Sequence, residues 1–323
     1  MADRIMTFAD AINEAQRLEM RRDETVIVFG ENVSSGWRPA TKGLREEFGR
    51  ERVRDAPITE TAFIGLGVGA AILGMRPVVE LMLVDFGLVA MDQILNQMAK
   101  THYMSGGAVR VPMTLRATYG AGTSSGATHS ETLYSLFAHM PGIKVVVPSN
   151  PYDAKGLLIS SIRDDNPVLF MEHRLLYGME GPVPDYAYTV PLGVANIVRE
   201  GSDVTVVATG LMAGEAVRAA DELRPSVSVE VVDPRTIVPL DEEAILRSLQ
   251  KTGRLVVVDE DYERCGFSAE VAAIAAEKGF RHLRAPVSRV ATPNTPIPFS
   301  PVLEKHILPN KEKIIKAIKT VVA

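Results

Sequence analysis

An α/β fold of two doubly wound domains is what the sequence predicts, and three observations carry that expectation. Short apolar runs alternate with stretches of helical period along most of the chain, the pattern of strands in a largely parallel sheet. The alternation breaks between Tyr177 and Pro191, where Pro182, Pro184 and Pro191 and two glycines leave little period, and it resumes at Val204. The length, 323 residues, suits about two domains at ~150 residues each. The domains are expected over residues 1–185 and 190–323, the second being the smaller.

A helix opens at Thr7, where Thr7 and Asp10 have capping-box spacing and Phe8, Ile12, Ala15 and Leu18 share one face until Arg21-Arg22-Asp23. The strand Val26 to Phe29 follows. Strand Val78 to Leu83, helix Leu88 to Tyr103, strand Val111 to Ala117, helix Glu131 to His139 and strand Val145 to Val147 continue the alternation. Asn150 as N-cap and Pro151 at the first helical position mark the next helix, which stops at Asp164-Asp165-Asn166-Pro167 before a strand from Val168 to Met171. Tyr177 to Pro191 reads as a surface linker. Beyond it come strand Val204 to Ala208, helix Met212 to Leu223, strand Val227 to Val232, helix Glu242 to Leu249 and strand Leu255 to Val258. Helix Ser268 to Lys278, strand Val287 to Val290, an irregular Pro293 to Pro301 and a helix from Lys311 to Val321 complete the chain.

Composition narrows the function. At 46% apolar and 23% charged residues the chain reads as a soluble globular protein. A net charge of −5 with no clustered Lys or Arg argues against a nucleic-acid partner. The lone Cys265 reads as a buried thiol in a reducing compartment. Phe63 to Met75, the longest apolar stretch, is too short to span a bilayer, and the opening residues lack a signal peptide's layout, so the cytoplasm is the expected location, with no membrane partner.

Three motifs invite other readings. Gly65-Leu66-Gly67-Val68-Gly69-Ala70 fits a dinucleotide fingerprint, but Pro57 to Thr61 before it reads as a turn into a helix, so close helix packing better explains the small residues. Gly122-Thr123-Ser124-Ser125-Gly126 fits a nucleophile elbow, with Asp259 and His282 following in hydrolase order, which makes a serine hydrolase using Ser124 the rival enzyme class. Asp85-Phe86-Gly87 has no kinase catalytic loop or phosphate-binding lysine loop beside it.

Several separated motifs then appear in a meaningful order. They are Pro57-Ile58-Thr59-Glu60, Glu80-Leu81-Met82-Leu83-Val84-Asp85-Phe86, Tyr103-Met104-Ser105-Gly106-Gly107, Thr128-His129-Ser130, Asp153-Ala154-Lys155-Gly156-Leu157, Val231-Val232-Asp233-Pro234-Arg235-Thr236 and Ala291-Thr292-Pro293. On these the chain strongly resembles, over essentially its whole length, the beta subunit of the thiamine-diphosphate-dependent decarboxylating component of 2-oxo acid dehydrogenase complexes. Glu172 to Gly181 looks most like acetoin dehydrogenase beta chains. The resemblance implies an N-terminal thiamine pyrimidine-binding domain and a C-terminal transketolase-like domain. It further implies cleavage of a C–C bond beside a carbonyl in a small-molecule substrate, with the acyl group passed to lipoamide.

That resemblance also implies roles. Glu60 faces the pyrimidine N1′ nitrogen, where a carboxyl shielded from water promotes tautomerisation of thiamine diphosphate. Phe86 stacks on the pyrimidine, and Ile58 and Met82 line the same pocket. His129, in a Gly- and Ser-rich loop, donates a proton to the substrate oxygen or the acyl carrier's sulfur. The family usually shows Ala-Gln-His-Ser-Gln there, whereas this chain has Ala127-Thr128-His129-Ser130-Glu131, which bears on substrate identity. Potassium is implied at the end of the helix that begins at Pro151, held mainly by backbone oxygens of Met113, Ser161, Ile162, Asp164 and Asn166, since carbonyls at a helix C-terminus are electronegative. The sequence carries no Gly-Asp-Gly followed by a paired Asn, the family's loop for magnesium and the diphosphate. An alpha subunit would supply that half in a heterotetramer of two alpha and two beta chains, with a lipoyl acyltransferase as further partner. Two alternatives stand beside this one: C–C cleavage without lipoyl transfer, and a non-catalytic assembly subunit.

Overall fold

The computed structural model describes residues 4–36 and 38–323. The chain forms two compact units: one runs to Tyr119 and resumes over Leu136–Leu192, the other takes Gly120–Ser135 and Gly193–Ala323. The sequence reading left Gly120–Ser135 in the first domain. Its amides and hydroxyls find partners elsewhere, with Ala121 N–H donating to Glu260 (2.8 Å), Gly122 N–H to Glu304 (2.9 Å) and the Tyr134 hydroxyl to Asp259.

In the first unit β1 (Arg4–Thr7) leads into α1 (Phe8–Arg22), β2 (Val26–Gly30), α2 (Leu44–Arg52), β3 (Val53–Asp55), α3 (Glu60–Ile72) and β4 (Arg76–Leu83). A 3-10 segment, Val84–Ala90, and a π-helical stretch, Gln93–Met98, reach α4 (Ala99–Met104). Then come β5 (Thr114–Tyr119), α5 (Tyr134–Ala138), β6 (Lys144–Val146), α6 (Pro151–Arg163), β7 (Val168–His173) and β8 (Glu180–Val183). The strands pair in parallel in the order β6-β7-β5-β4-β2-β3, and all but edge strand β3 are buried along nearly their whole length, as a parallel sheet covered by helices requires. Both capped helices form where expected: Thr7 Oγ1 accepts from Asp10 N–H (3.1 Å) and Asn150 Oδ1 from Asp153 N–H (2.9 Å).

Four local expectations are corrected. The single helix from Leu88 to Tyr103 is broken, because Gly87 is drawn against Phe137 (a Cβ would stand 3.0 Å from its Cζ) and the Val89 carbonyl accepts from Thr61 Oγ1 (2.9 Å). The strand expected from Val111 starts at Thr114, since Met113 N–H turns back to Val111 O (2.8 Å). The helix expected from Glu131 begins at Tyr134, because the Glu131 carbonyl accepts from Gly120 N–H (3.1 Å). Within the supposed linker, β8 pairs antiparallel with β1, with Pro182 opposite Ile5 in a two-stranded sheet that tolerates its missing N–H.

The second unit contains β9 (Asn196–Arg199), β10 (Val204–Ala208), α7 (Leu211–Glu222), β11 (Val229–Asp233), β12 (Thr236–Val238), α8 (Glu242–Thr252), β13 (Leu255–Tyr262), α9 (Phe267–Lys278), β14 (Ser288–Thr292), α10 (Pro301–Ile307) and α11 (Lys311–Val322). Its sheet runs β14-β13-β10-β11-β9, parallel except for β9 at the edge. Val204, Val206, Val229, Val231, Val256 and Val258 point to one face and pack with α7 and α11. On the other face Thr205 bonds Thr252 of α8 (2.8 Å). Helix α10 interrupts the segment expected to be irregular: Pro301 opens it at a position that needs no N–H. Cys265, read as buried, is exposed, in left-handed backbone (φ 57°). Among the described residues no helix is long and apolar enough to cross a membrane.

Candidate active site

Open parallel sheets place ligands beyond the carboxyl ends of their strands, and in the first unit those ends gather carboxyl groups. Gly30 ends β2 beside Glu80 of β4, so close that a Cβ on Gly30 would stand 2.1 Å from the Glu80 carbonyl oxygen, and its φ of 140° also demands glycine. Glu31 follows at once, its N–H donating to Glu80 O (3.2 Å). After β3 the turn Ala56 to Thr59 delivers Glu60 to the first turn of α3, where the helix dipole favours a negative charge.

Glu60 is 7% exposed, and among the described residues no side-chain hydrogen bond takes up its carboxylate. Glu31 is buried as well, with its Oε1 lacking a hydrogen-bond partner among the described residues. Burial, then the Glu60 and Glu80 charges, push the Glu31 carboxyl up to about 7, only partly offset by Arg38. A buried carboxyl whose hold on its proton is raised by burial thus lies within electrostatic reach of Glu60. Sequence reasoning missed Glu31, whose significance lies in its charged neighbours, Glu80 of β4 and Glu60 of α3.

A second, tighter network backs this cluster. Fully buried Arg116 of β5 donates through Nε and one terminal nitrogen to both oxygens of Glu172 (2.7 and 2.9 Å), and through the other to Glu80 (2.7 Å) and Gln16 (3.4 Å). The Tyr177 hydroxyl donates to Glu172 (2.6 Å). Burial pushes the Glu172 carboxyl up despite Arg116, and raises the Tyr177 phenol well above its ordinary range.

Because folded Glu31 holds its proton to about 7 whereas the ordinary value is 4.5, its contribution to stability is complete below about pH 4.5 and is lost as pH rises through 7. The thermal midpoint of the wild-type chain should therefore fall between about pH 5 and about pH 8 more steeply than that of Glu31→Gln. Parallel curves for the two would remove Glu31 from the account.

The other residues expected to line the pocket differ in their local settings. Met82 occupies a bulge where the β4/β5 register shifts, in left-handed backbone (φ 68°) that a long side chain rarely adopts, and its carbonyl accepts from Thr118 Oγ1. Phe86, half-buried, lies in the 3-10 segment that Thr61 ties to the start of α3. Ile58, in the turn before α3, is 74% exposed. His129 belongs to the other unit, on an exposed loop, with Nδ1 3.0 Å from the Thr128 hydroxyl.

At the turn after α6, the Arg76 guanidinium donates to the carbonyls of Ile162 (3.1 Å) and Asp164 (3.0 Å). Met113 O accepts from Val168 N–H (2.9 Å) and Ser161 O from Asp164 N–H (3.3 Å). The Asp164 side chain pairs with Lys144 and accepts from Asn166 (2.9 and 3.0 Å). Four of the five carbonyls thus accept from donors of the chain itself, and Arg76 serves two of them.

The rival motifs do not assemble. Ser124 Oγ meets a carboxylate, Glu304 (3.3 Å), while Asp259 accepts from Tyr134, Ser268 N–H (2.8 Å) and Asp261 N–H (3.0 Å). Gly65 and Gly67 lie inside α3, and a Cβ on Gly67 would come within 2.9 Å of both Met113 Cε and Val79 Cγ2, so glycine there serves close helix packing.

Residues 4–180 match the transketolase pyrimidine binding domain, over half the chain, and 193–314 match the transketolase C-terminal domain. The chain belongs to the transketolase family. This family member is 49% identical to the acetoin:2,6-dichlorophenolindophenol oxidoreductase subunit beta of Bacillus subtilis (strain 168), over 97% of this chain and 96% of the relative. It is 47% identical to the protein of the same description from Cupriavidus necator, over 96% and 95%. It is 43% identical to the 2-oxoisovalerate dehydrogenase subunit beta of Bacillus subtilis, over 98% of each. Among solved structures, a split gene transketolase described as an inactive beta4 tetramer superposes with a TM-score of 0.78 at 21% identity, covering 98% of both chains, which supports the transketolase fold.

Proposed function

We propose that this transketolase-family chain is the beta subunit of a thiamine-diphosphate-dependent acetoin or 2-oxo acid dehydrogenase, active with an alpha subunit. The observation that carries the reading is Glu60: a buried carboxylate, unbonded within the described chain, at a helix N-terminus in the pyrimidine-binding domain. Thiamine diphosphate, when bound, supplies the carbon nucleophile that attacks the substrate carbonyl. The donor set suits its pyrimidine: Glu60 would share a proton with the ring nitrogen, Phe86 would offer a stacking face, and Met82 and Ile58 would line the ring. Glu31, with its orphaned buried oxygen, would keep a proton close to Glu60. His129 would protonate the substrate oxygen or the acceptor's sulfur.

In this reading the alpha subunit contributes the magnesium and diphosphate loop, a lipoyl acyltransferase accepts the acyl group, and the complex works in the cytoplasm. Potassium is the part that competes with Arg76. Remaining lone pairs on the Met113, Ser161, Ile162 and Asp164 carbonyls, with Asn166 O, would hold it. Exchange of potassium for tetramethylammonium, too large for such a turn, should lower the thermal midpoint of the complex; an unchanged midpoint leaves Arg76 and Lys144 to serve the turn without potassium.

The function is tested with the co-expressed alpha and beta chains. Added thiamine diphosphate should switch on acetoin- or 2-oxo-acid-dependent reduction of an artificial electron acceptor, and His129→Ala should lower transfer to a lipoyl acceptor by about 10²- to 10⁴-fold. Full activity of the beta chain alone, or activity indifferent to the cofactor, overturns the proposal.

A further inference from the structure

The loop that carries His129 is the most irregular stretch of the second unit. Gly122, Ser124 and Gly126 all have positive φ (94°, 54° and 78°), so alternate residues turn left-handed. The amides of Gly122 and Ser124 converge on one side chain. Glu304 of α10 accepts from Gly122 N–H (2.9 Å) and Ser124 N–H (3.2 Å) at Oε1, and from Ser124 N–H (3.0 Å) and Ser124 Oγ (3.3 Å) at Oε2. Glu304 is 3% exposed and no ion pair to it is formed among the described residues, so these donors compensate its buried charge. Flanking contacts extend the grip. Ala121 N–H donates to buried Glu260 (2.8 Å), the Phe299 ring lies against Gly126, where a Cβ would stand 3.3 Å from Cδ2, and beyond His129 the Tyr262 hydroxyl donates to Glu131 (3.1 Å).

We infer that Glu304 is a positioning residue: its carboxylate clamps the 122–124 turn and thereby fixes where the loop presents His129 for proton transfer to the acyl acceptor. Ser124, which the sequence offers as a nucleophile, is in this arrangement a ligand of the clamp. The second half of the inference rests on the proposed role of His129; the clamp itself does not.

The test uses the assembled alpha–beta complex with Glu304→Ala and Glu304→Gln. Alanine removes every acceptor; glutamine keeps an oxygen for the two amides and an amide for the Ser124 hydroxyl. Amide hydrogen exchange over residues 120–129 should accelerate at least roughly 10-fold in Glu304→Ala and stay near wild type in Glu304→Gln. Turnover with a lipoyl acceptor should fall roughly 10-fold or more in Glu304→Ala, through kcat and with recovery in Glu304→Gln, whereas reduction of 2,6-dichlorophenolindophenol, which needs no transfer to sulfur, should change less than about 3-fold. Unchanged exchange in Glu304→Ala overturns the clamp. Accelerated exchange with equal losses in both assays, or with none, overturns its link to His129 as proton donor to the acyl acceptor. A wild-type complex inactive with thiamine diphosphate refutes the functional reading instead, and the exchange data still decide the clamp.

Discussion

Glu60→Gln, assembled with its alpha partner, should lose thiamine-dependent turnover by about 10²- to 10⁴-fold, the usual range for removing a positioned proton-transfer group. Glutamine matches glutamate in volume and can still meet the ring nitrogen, but it cannot share a proton with it. The folded state should hardly notice. Loss of the charge forgoes about 0.3–1 kcal/mol of interaction with the α3 dipole, while relieving repulsion from Glu31, so the two changes oppose each other. Assembly and thermal midpoint close to wild type, combined with collapsed activity, would set Glu60 apart from a structural helix-capping acid. Turnover at the wild-type rate would refute its role.

Arg116→Ala should be the most destabilising single change in the first unit. It strips Glu172 of two hydrogen bonds and Glu80 of one, leaving two buried carboxylates without their guanidinium. Removing one partner of a buried ionic network costs about 3–5 kcal/mol, here equivalent to a drop of roughly 10 °C in thermal midpoint. Adding Glu172→Gln should restore part of the loss, because it deletes one of the stranded charges. A drop below about 2 °C in the single variant would mean that the network relaxes without its cation.

What could be read from sequence was what neighbours in the chain determine. Thr7 with Asp10, and Asn150 with Pro151, announced their helices because the capping groups lie within one turn of each other. Strand β8 was invisible because β1, which completes it, lies at the far end of the unit and Pro182 argues against any strand. Four prolines hid α10, although Pro301 is a helix starter in the one position where that reading applies. A motif singles out Glu60 as a candidate, whereas nothing local marks Glu31, Arg116 or Glu304; each matters through groups brought to it by distant strands, helices or loops. The left-handed backbone of Met82 is likewise a property of the bulge in β4 and not of methionine.

The membership of Gly120–Ser135 in the second unit has a practical side for anyone dissecting the gene. A fragment beginning at Gly193 would look like a tidy carboxyl-terminal half, yet Glu304, Glu260 and Asp259 would each face a hole where Gly122 and Ser124, Ala121, and Tyr134 had been. The complementary amino-terminal piece would carry the orphaned strip as a loose internal loop between Tyr119 and Leu136. Truncation at that codon therefore makes two damaged products, and any minimal version of the carboxyl-terminal half has to be engineered with the strip grafted back on.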